Sequence, residues 1–366
     1  HNPASLCIST MRALKSASRL LLVASTSHAF RTGMSPLRVA ARGMKMSSPV
    51  MSDDDFAGYV PKTVFMFPGQ GAQTVGMGVE VAAEVPAAAE LYAKASEILG
   101  YDLLEKCKEG PKEDLDTTVI SQPAIFVASM AAVEKFRASE GGPAAIEAAS
   151  AACGLSLGEY TALCFAGAIS FEDGVKITKA RGEAMQAASE ASSSGMASII
   201  GLDSEKAAEL CAAAAEATGE PIQIANFLCP GNYACSGSVT AVDKVMEIAK
   251  PEFKARMAVK LAVAGAFHTD YMKPAVETLE GVLKEVVVSK PRIPVISNVD
   301  AKPHSDPEVI KSILTKQVTA PVQWETIMTE MVGNGFEQGY ELGPGKVLSG
   351  IMKRISKTAP IENIEV

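Results

Sequence analysis

The chain has 366 residues, 48% of them hydrophobic and 21% charged, with a formal net charge of −8. That length suits one large α/β domain with a smaller one, and that balance is ordinary for a folded enzyme rather than a disordered or fibrous chain. Seven of the 34 basic residues and none of the 42 acidic ones lie in the first 52 positions, so 27 face 42 in the remainder, an excess that argues against nucleic-acid binding.

Residues 1–52 have the composition of a removable targeting segment, basic and rich in Ser and Ala. From Met11 the order is a basic region (Arg12, Lys15, Arg19), a short apolar run (20–24) and a small-residue region (25–30). A second basic, acid-free stretch runs to about Met51. A signal-like piece followed by a transit-like piece resembles the bipartite leaders of proteins sent to plastids of secondary origin. A plastid stroma is therefore expected, with a mitochondrial presequence as the alternative. The apolar run is too short to cross a bilayer, and no later span is expected.

Thr63-Val64-Phe65-Met66-Phe67 predicts a buried strand, followed by the Gly-rich loop 68–78. Met77 stands where a phosphate loop needs Lys, and Thr74 where a dinucleotide fingerprint needs Gly, so the spacing argues against nucleotide binding. Small residues there instead let backbone N–H groups approach a reacting atom. Helices are predicted over 84–99 and 121–137. The small-residue run 148–153 then leads into Gly154-Leu155-Ser156-Leu157-Gly158, a G-x-S-x-G pattern in strand–turn–helix context that predicts a nucleophile elbow with Ser156 at its apex.

A helix over 171–191 carries Lys176, Lys179 and Arg181. The order strand (195–201), helix (203–217), strands (222–228 and 232–238), helix (239–250), strand (256–262) is that of a ferredoxin-like unit. Helix 271–285, strand 293–299, helix 307–316, a helix started by Pro321-Val322-Gln323-Trp324, strand 336–342 and a final basic helix complete the chain. The fold class is therefore α/β, a large domain over 60–190 and 263–358 with a small ferredoxin-like domain over 194–262 inserted in it.

A Ser nucleophile needs a base. After the leader the chain offers His268, behind an apolar strand and a Gly-Ala-Phe step, and His304, in the turn-forming run Lys302-Pro303-His304-Ser305-Asp306-Pro307. The pair chosen is Ser156 with His268. Six cysteines follow the leader (Cys107, Cys153, Cys164, Cys211, Cys229, Cys235), with no C-x-x-C pair and no neighbouring His. They predict reduced structural thiols and no metal site.

The runs FPGQGAQTVGMG, GLSLGEY, KARGEAM, GAFHTDYM, SNVDAKP, PVQW and ELGPGKVLSG stand in an order that resembles the malonyl-coenzyme A:acyl carrier protein transacylases, from about residue 62 to 355. The resemblance implies an α/β-hydrolase-like large domain with a ferredoxin-like insertion, and malonyl transfer from malonyl-coenzyme A to acyl carrier protein through a malonyl-serine. Ser156 would be the nucleophile, His268 the base and Arg181 the holder of the malonate carboxylate. Backbone N–H groups of Gln70 and Leu157 would form the oxyanion hole, and the main-chain carbonyl of Asn298 would orient the His. No cofactor is implied beyond coenzyme A as thioester and the phosphopantetheine of the partner, and a monomer is expected. Leu155 replaces the His that more often precedes the Ser, and Phe267 fits malonyl rather than methylmalonyl selection. A serine esterase or thioesterase with the same elbow is the alternative. Lys176, Lys179, Lys346, Lys353, Arg354 and Lys357 are candidate contacts for an acidic carrier.

Overall fold

The computed structural model describes residues 54–366, so the leader expected over 1–52 lies outside the described residues. In chain order the strands are β1 (Thr63–Phe67), β2 (Ala151–Gly154), β3 (Ser194–Ile200), β4 (Ile222–Cys229), β5 (Asn232–Ser238), β6 (Met257–Lys260), β7 (Val295–Ile296), β8 (Gln338–Gly343) and β9 (Ile361–Glu365). Five of them form a parallel sheet, β7-β2-β1-β8-β9, and four form an antiparallel sheet, β4-β5-β3-β6. The architecture is α/β. The second sheet, with helices Ser204–Thr218 and Val239–Ile248, gives the β-α-β-β-α-β order of the ferredoxin-like unit.

β1 reads as an unbroken apolar run because helices cover both faces of its sheet; four of its five residues are fully buried. Phe65 stacks on Phe165 and Tyr340 at 4.6 and 5.2 Å, tying β1 to the helix Gly158–Phe165 and to β8. Helix Phe171–Glu190 is capped by Ser170, whose hydroxyl accepts the Asp173 N–H at 3.0 Å. It buries Gly174, Thr178, Arg181, Met185 and Ala188, one stripe at i, i+3 and i+4 spacing.

Three expectations need correction. The strand expected over 293–299 pairs only at Val295 and Ile296, because Pro294 precedes it and Ser297 turns back to accept the Ala301 N–H. β9 lies beyond residue 358, where the large domain was expected to end, and pairs with β8 as the sheet edge. Helix Thr118–Ala138 has 21 residues and a mean hydropathy of 1.2, long and apolar enough to cross a membrane. In this fold 72% of its apolar window is buried inside the protein.

Candidate active site

Gln70, Ser156 and Asn298 follow the C-terminal ends of β1, β2 and β7, the edge of a parallel sheet where loops converge on a shared crevice. The chain leaves β2 at Gly154, turns at Ser156 and enters the helix Gly158–Phe165. Ser156 has φ of +52°, a left-handed conformation unusual for a side-chain-bearing residue. The turn needs both flanking glycines. A Cβ on Gly154 would collide with the Gly158 backbone, and one on Gly158 with the Phe67 carbonyl.

Ser156 Oγ lies 2.9 Å from His268 Nε2. His268 sits in the loop between β6 and the helix Lys273–Glu285, with φ of +60°, and is 3% exposed. Its Nδ1 lies 2.8 Å from the Gln317 carbonyl oxygen. A carbonyl only accepts, so Nδ1 carries the proton and Nε2 is left to accept from the Ser hydroxyl. The carbonyl that orients the imidazole is therefore Gln317's and not, as expected, Asn298's. The Asn298 carbonyl is turned away and accepts the Gln323 N–H at 2.9 Å. Asn298 serves the nucleophile instead: its Oδ1 accepts the Ser156 N–H at 2.6 Å and its Nδ2 donates to the Gly154 carbonyl at 2.8 Å.

Arg181 reaches the same place from its helix and is 2% exposed. It donates to Gln122 Oε1 at 2.7 Å, Gln317 Oε1 at 3.0 Å and Ser156 Oγ at 3.1 Å, while its Nε has no partner among the described residues. The guanidinium lies 5.2 Å over the Tyr160 ring. Among the described residues Arg181 makes no ion pair, and all its acceptors are neutral. A buried cation so partnered keeps its charge uncompensated and can take an anion. Burial, and then the charge of Arg181, lowers the His268 pKa from 6.5 to about 4, so the imidazole is neutral at physiological pH.

Gln70 and Leu157 line, together with Ser156, a cavity of about 200 Å³. Neither amide donates to a protein group among the described residues. Ser156, Arg181 and His268 share that cavity with apolar side chains including Met185, Met196, Leu261 and Phe267, drawn from both sheets' surroundings. His304 is elsewhere, beside Asp300 at 3.0 Å. The six cysteines described are free, and no cluster of His, Cys, Asp and Glu among the described residues could hold a metal ion. Of the candidate carrier contacts, Lys176 pairs with Asp173, Lys346 pairs with Glu365, and Lys179 donates to the Leu99 carbonyl. Lys353 is exposed on the helix Val347–Ile355, whose Val347 and Ile351 line the cavity.

Sequence reasoning missed Gln317, Gln122 and Glu159. Glu159 is 3% exposed, and burial raises its pKa to about 7 against hydrogen bonds from Gln317 and Asn298 that pull it down. Its place inside GLSLGEY was the one available signal; nothing in the sequence marked the two glutamines.

Residues 64–366 match the family model described as "Acyl transferase domain". The chain is 42% identical over 307 residues to the mitochondrial malonyl-CoA-acyl carrier protein transacylase of Mus musculus, covering 81% of this chain and 80% of that one. It is 40% identical over 294 residues to the malonyl CoA-acyl carrier protein transacylase of Escherichia coli K12, with 80% and 93% covered. A solved malonyl-transacylase in complex with its type II PKS acyl-carrier protein superposes with a TM-score of 0.77 at 34% identity, covering 83% of this chain and 96% of that one.

Proposed function

The chain belongs to the acyl transferase family, and from that premise we propose that it passes malonyl groups from malonyl-coenzyme A to the phosphopantetheine thiol of acyl carrier protein, on Ser156, for fatty acid synthesis. One observation carries the reading. Ser156 Oγ lies between a neutral imidazole at 2.9 Å and, at 3.1 Å, a buried guanidinium with no carboxylate of its own.

In the first half-reaction Ser156 Oγ attacks the malonyl thioester carbonyl and its proton passes to His268 Nε2. The Gln317 carbonyl steadies the imidazolium through the Nδ1 proton. The oxyanion is held by the N–H groups of Gln70 and Leu157, each donor being worth roughly 3 kcal/mol of barrier. The C–S bond breaks, and the coenzyme A thiolate leaves with the proton from His268. In the second half the carrier's thiol gives its proton to His268, its sulfur attacks the malonyl ester, and the proton returns to Ser156 Oγ. Arg181 holds the free carboxylate through both halves, its fork matching the two oxygens. No cofactor is required, since coenzyme A enters as substrate and phosphopantetheine arrives on the partner.

The apolar cavity lining supports transfer over hydrolysis, because it offers water few partners. The exposed Lys353, on a helix that lines the cavity, supports docking of the acidic carrier there. Residues 1–52 support delivery to an organelle. Their two-part order favours a plastid, and the mitochondrial name of the mouse relative supports the alternative.

Intact mass tests the reading. Incubation with malonyl-coenzyme A is expected to add one malonyl group to the wild-type chain and none to Ser156→Ala, and acyl carrier protein is expected to remove it. An adduct that persists in Ser156→Ala, or one discharged to water as fast as to the carrier, would refute it.

A further inference from the structure

Among the described residues Glu159 is the one buried carboxyl group beside the elbow, and the proposed reaction does not use it. It does not line the cavity, and it makes no hydrogen bond to Ser156 Oγ, His268 or Arg181. Its Oε2 accepts from Gln317 Nε2 at 2.6 Å and from the Asn298 N–H at 3.0 Å. Those two residues grip the Ser156 peptide from both sides. Asn298 Oδ1 accepts the Ser156 N–H at 2.6 Å, and Gln317 Nε2 donates to the Ser156 carbonyl at 3.0 Å. The grip matters because a non-glycine residue at φ of +52° persists only where its surroundings hold it there.

The same Gln317 amide turns its Oε1 to Arg181 at 3.0 Å. Flipped, it would set Oε1 against two acceptors, the Glu159 carboxylate and the Ser156 carbonyl, and Nε2 against a guanidinium. Of the two acceptors that forbid the flip, Glu159 is the one that carries a charge once ionised, above its raised pKa of about 7, and a charge-assisted bond is about twice as strong as a neutral one. Around Glu159 stand Arg181, Tyr160, Cys153 and Asp300, of which only Arg181 is cationic.

We infer that Glu159 is a positioning residue: one carboxylate oxygen fixes Asn298 and Gln317, and through them the nucleophile's backbone and the acceptor offered to Arg181. The inference rests on malonyl loading of Ser156 for its readout. The test is a double-mutant cycle in the full chain with Glu159→Ala, Gln317→Ala and both, measuring kcat/KM of Ser156 loading from malonyl- and acetyl-coenzyme A. Glu159→Ala is expected to lower malonyl loading about ten- to a hundredfold, the range for a buried hydrogen bond to a charged group, and acetyl loading less. The double variant is expected to lose at least about fivefold less than the product of the single losses.

Glu159→Gln keeps a carbonyl acceptor in place and covers the case in which the Ala variant does not fold. It is expected to stay within about tenfold of wild type. Multiplicative losses, equal losses for both acyl groups, or a folded Gln variant about a hundredfold down would overturn the inference. A wild-type chain that takes up no malonyl group would instead remove the proposed function, and the same assay reads it.

Discussion

Removing the Arg181 guanidinium is expected to separate acyl selection from acyl chemistry. In Arg181→Ala, Gln122 Oε1 and Gln317 Oε1 each lose a donor now at 2.7 and 3.0 Å. That costs about 1–3 kcal/mol per acceptor, less whatever water recovers, and it falls on stability and on every substrate alike. The loss specific to malonate is the charge-assisted pair to its carboxylate, about 3 kcal/mol, or roughly a hundredfold. Acetyl loading loses only the shared part. The quantity to measure is therefore the ratio of kcat/KM for malonyl- and acetyl-coenzyme A, followed as coenzyme A release. It is expected to fall about a hundredfold while both absolute rates fall by differing amounts. A ratio unchanged within about threefold would refute the clamp and leave Arg181 acting only on Ser156 Oγ, 3.1 Å away.

His268, held at about 4 chiefly by burial and then by Arg181, is expected to keep loading active well below pH 6.5; a limb at 6.5–7 that persists in Glu159→Gln would contradict this. Because its folded pKa lies below the unfolded value, unfolding takes up a proton between pH 6.5 and 4. That contribution, on the order of 3 kcal/mol and present above 6.5, drains away through the window. Glu159, its pKa raised to about 7, contributes stability as pH falls over much the same range and offsets the loss. The His268 share is therefore expected in urea titrations as a loss unmasked in Glu159→Gln and missing from His268→Gln. Gly158→Ala is expected to cost several kcal/mol or prevent folding, since its Cβ meets the Phe67 carbonyl. Gly281→Ala, with open space around it in the helix Lys273–Glu285, is expected to be neutral or stabilising by up to about 1 kcal/mol in the same melts.

The elbow was readable because its chemistry is local: five consecutive residues carry the turn, the nucleophile and both close approaches. Strands β1, β4 and β5 were readable for the same reason, each an apolar or alternating run bounded by turn residues. Arg181 was not readable from its own helix. A cation on a buried stripe, 25 positions from Ser156, acquires a role only when the helix packs, and motif resemblance supplied what spacing did not. The carbonyl behind His268 was misplaced because every residue has a carbonyl. Gln317 is 49 positions away, and its side chain gives no sign of what its main chain accepts. β9 stayed hidden because Ile361-Glu362-Asn363-Ile364-Glu365 is a short, polar edge strand whose reason for being extended is the β8 edge beside it.

The choice of acceptors around Arg181 explains why a buried cation stands without an acid in contact. A carboxylate against the guanidinium would recover much of its desolvation cost, but it would occupy the place proposed for the malonate carboxylate and cancel the charge that would attract it. Two amide oxygens and a hydroxyl fix the fork's geometry and leave its charge unspent. The nearest acid is set one residue further back: Glu159 has no hydrogen bond to Arg181 and accepts at 2.6 Å from the same Gln317 amide whose Oε1 faces the cation. In the proposed function, substrate binding would complete an ion pair that folding left open, and the stability forgone in the free enzyme would become discrimination in favour of an acyl group that carries its own negative charge.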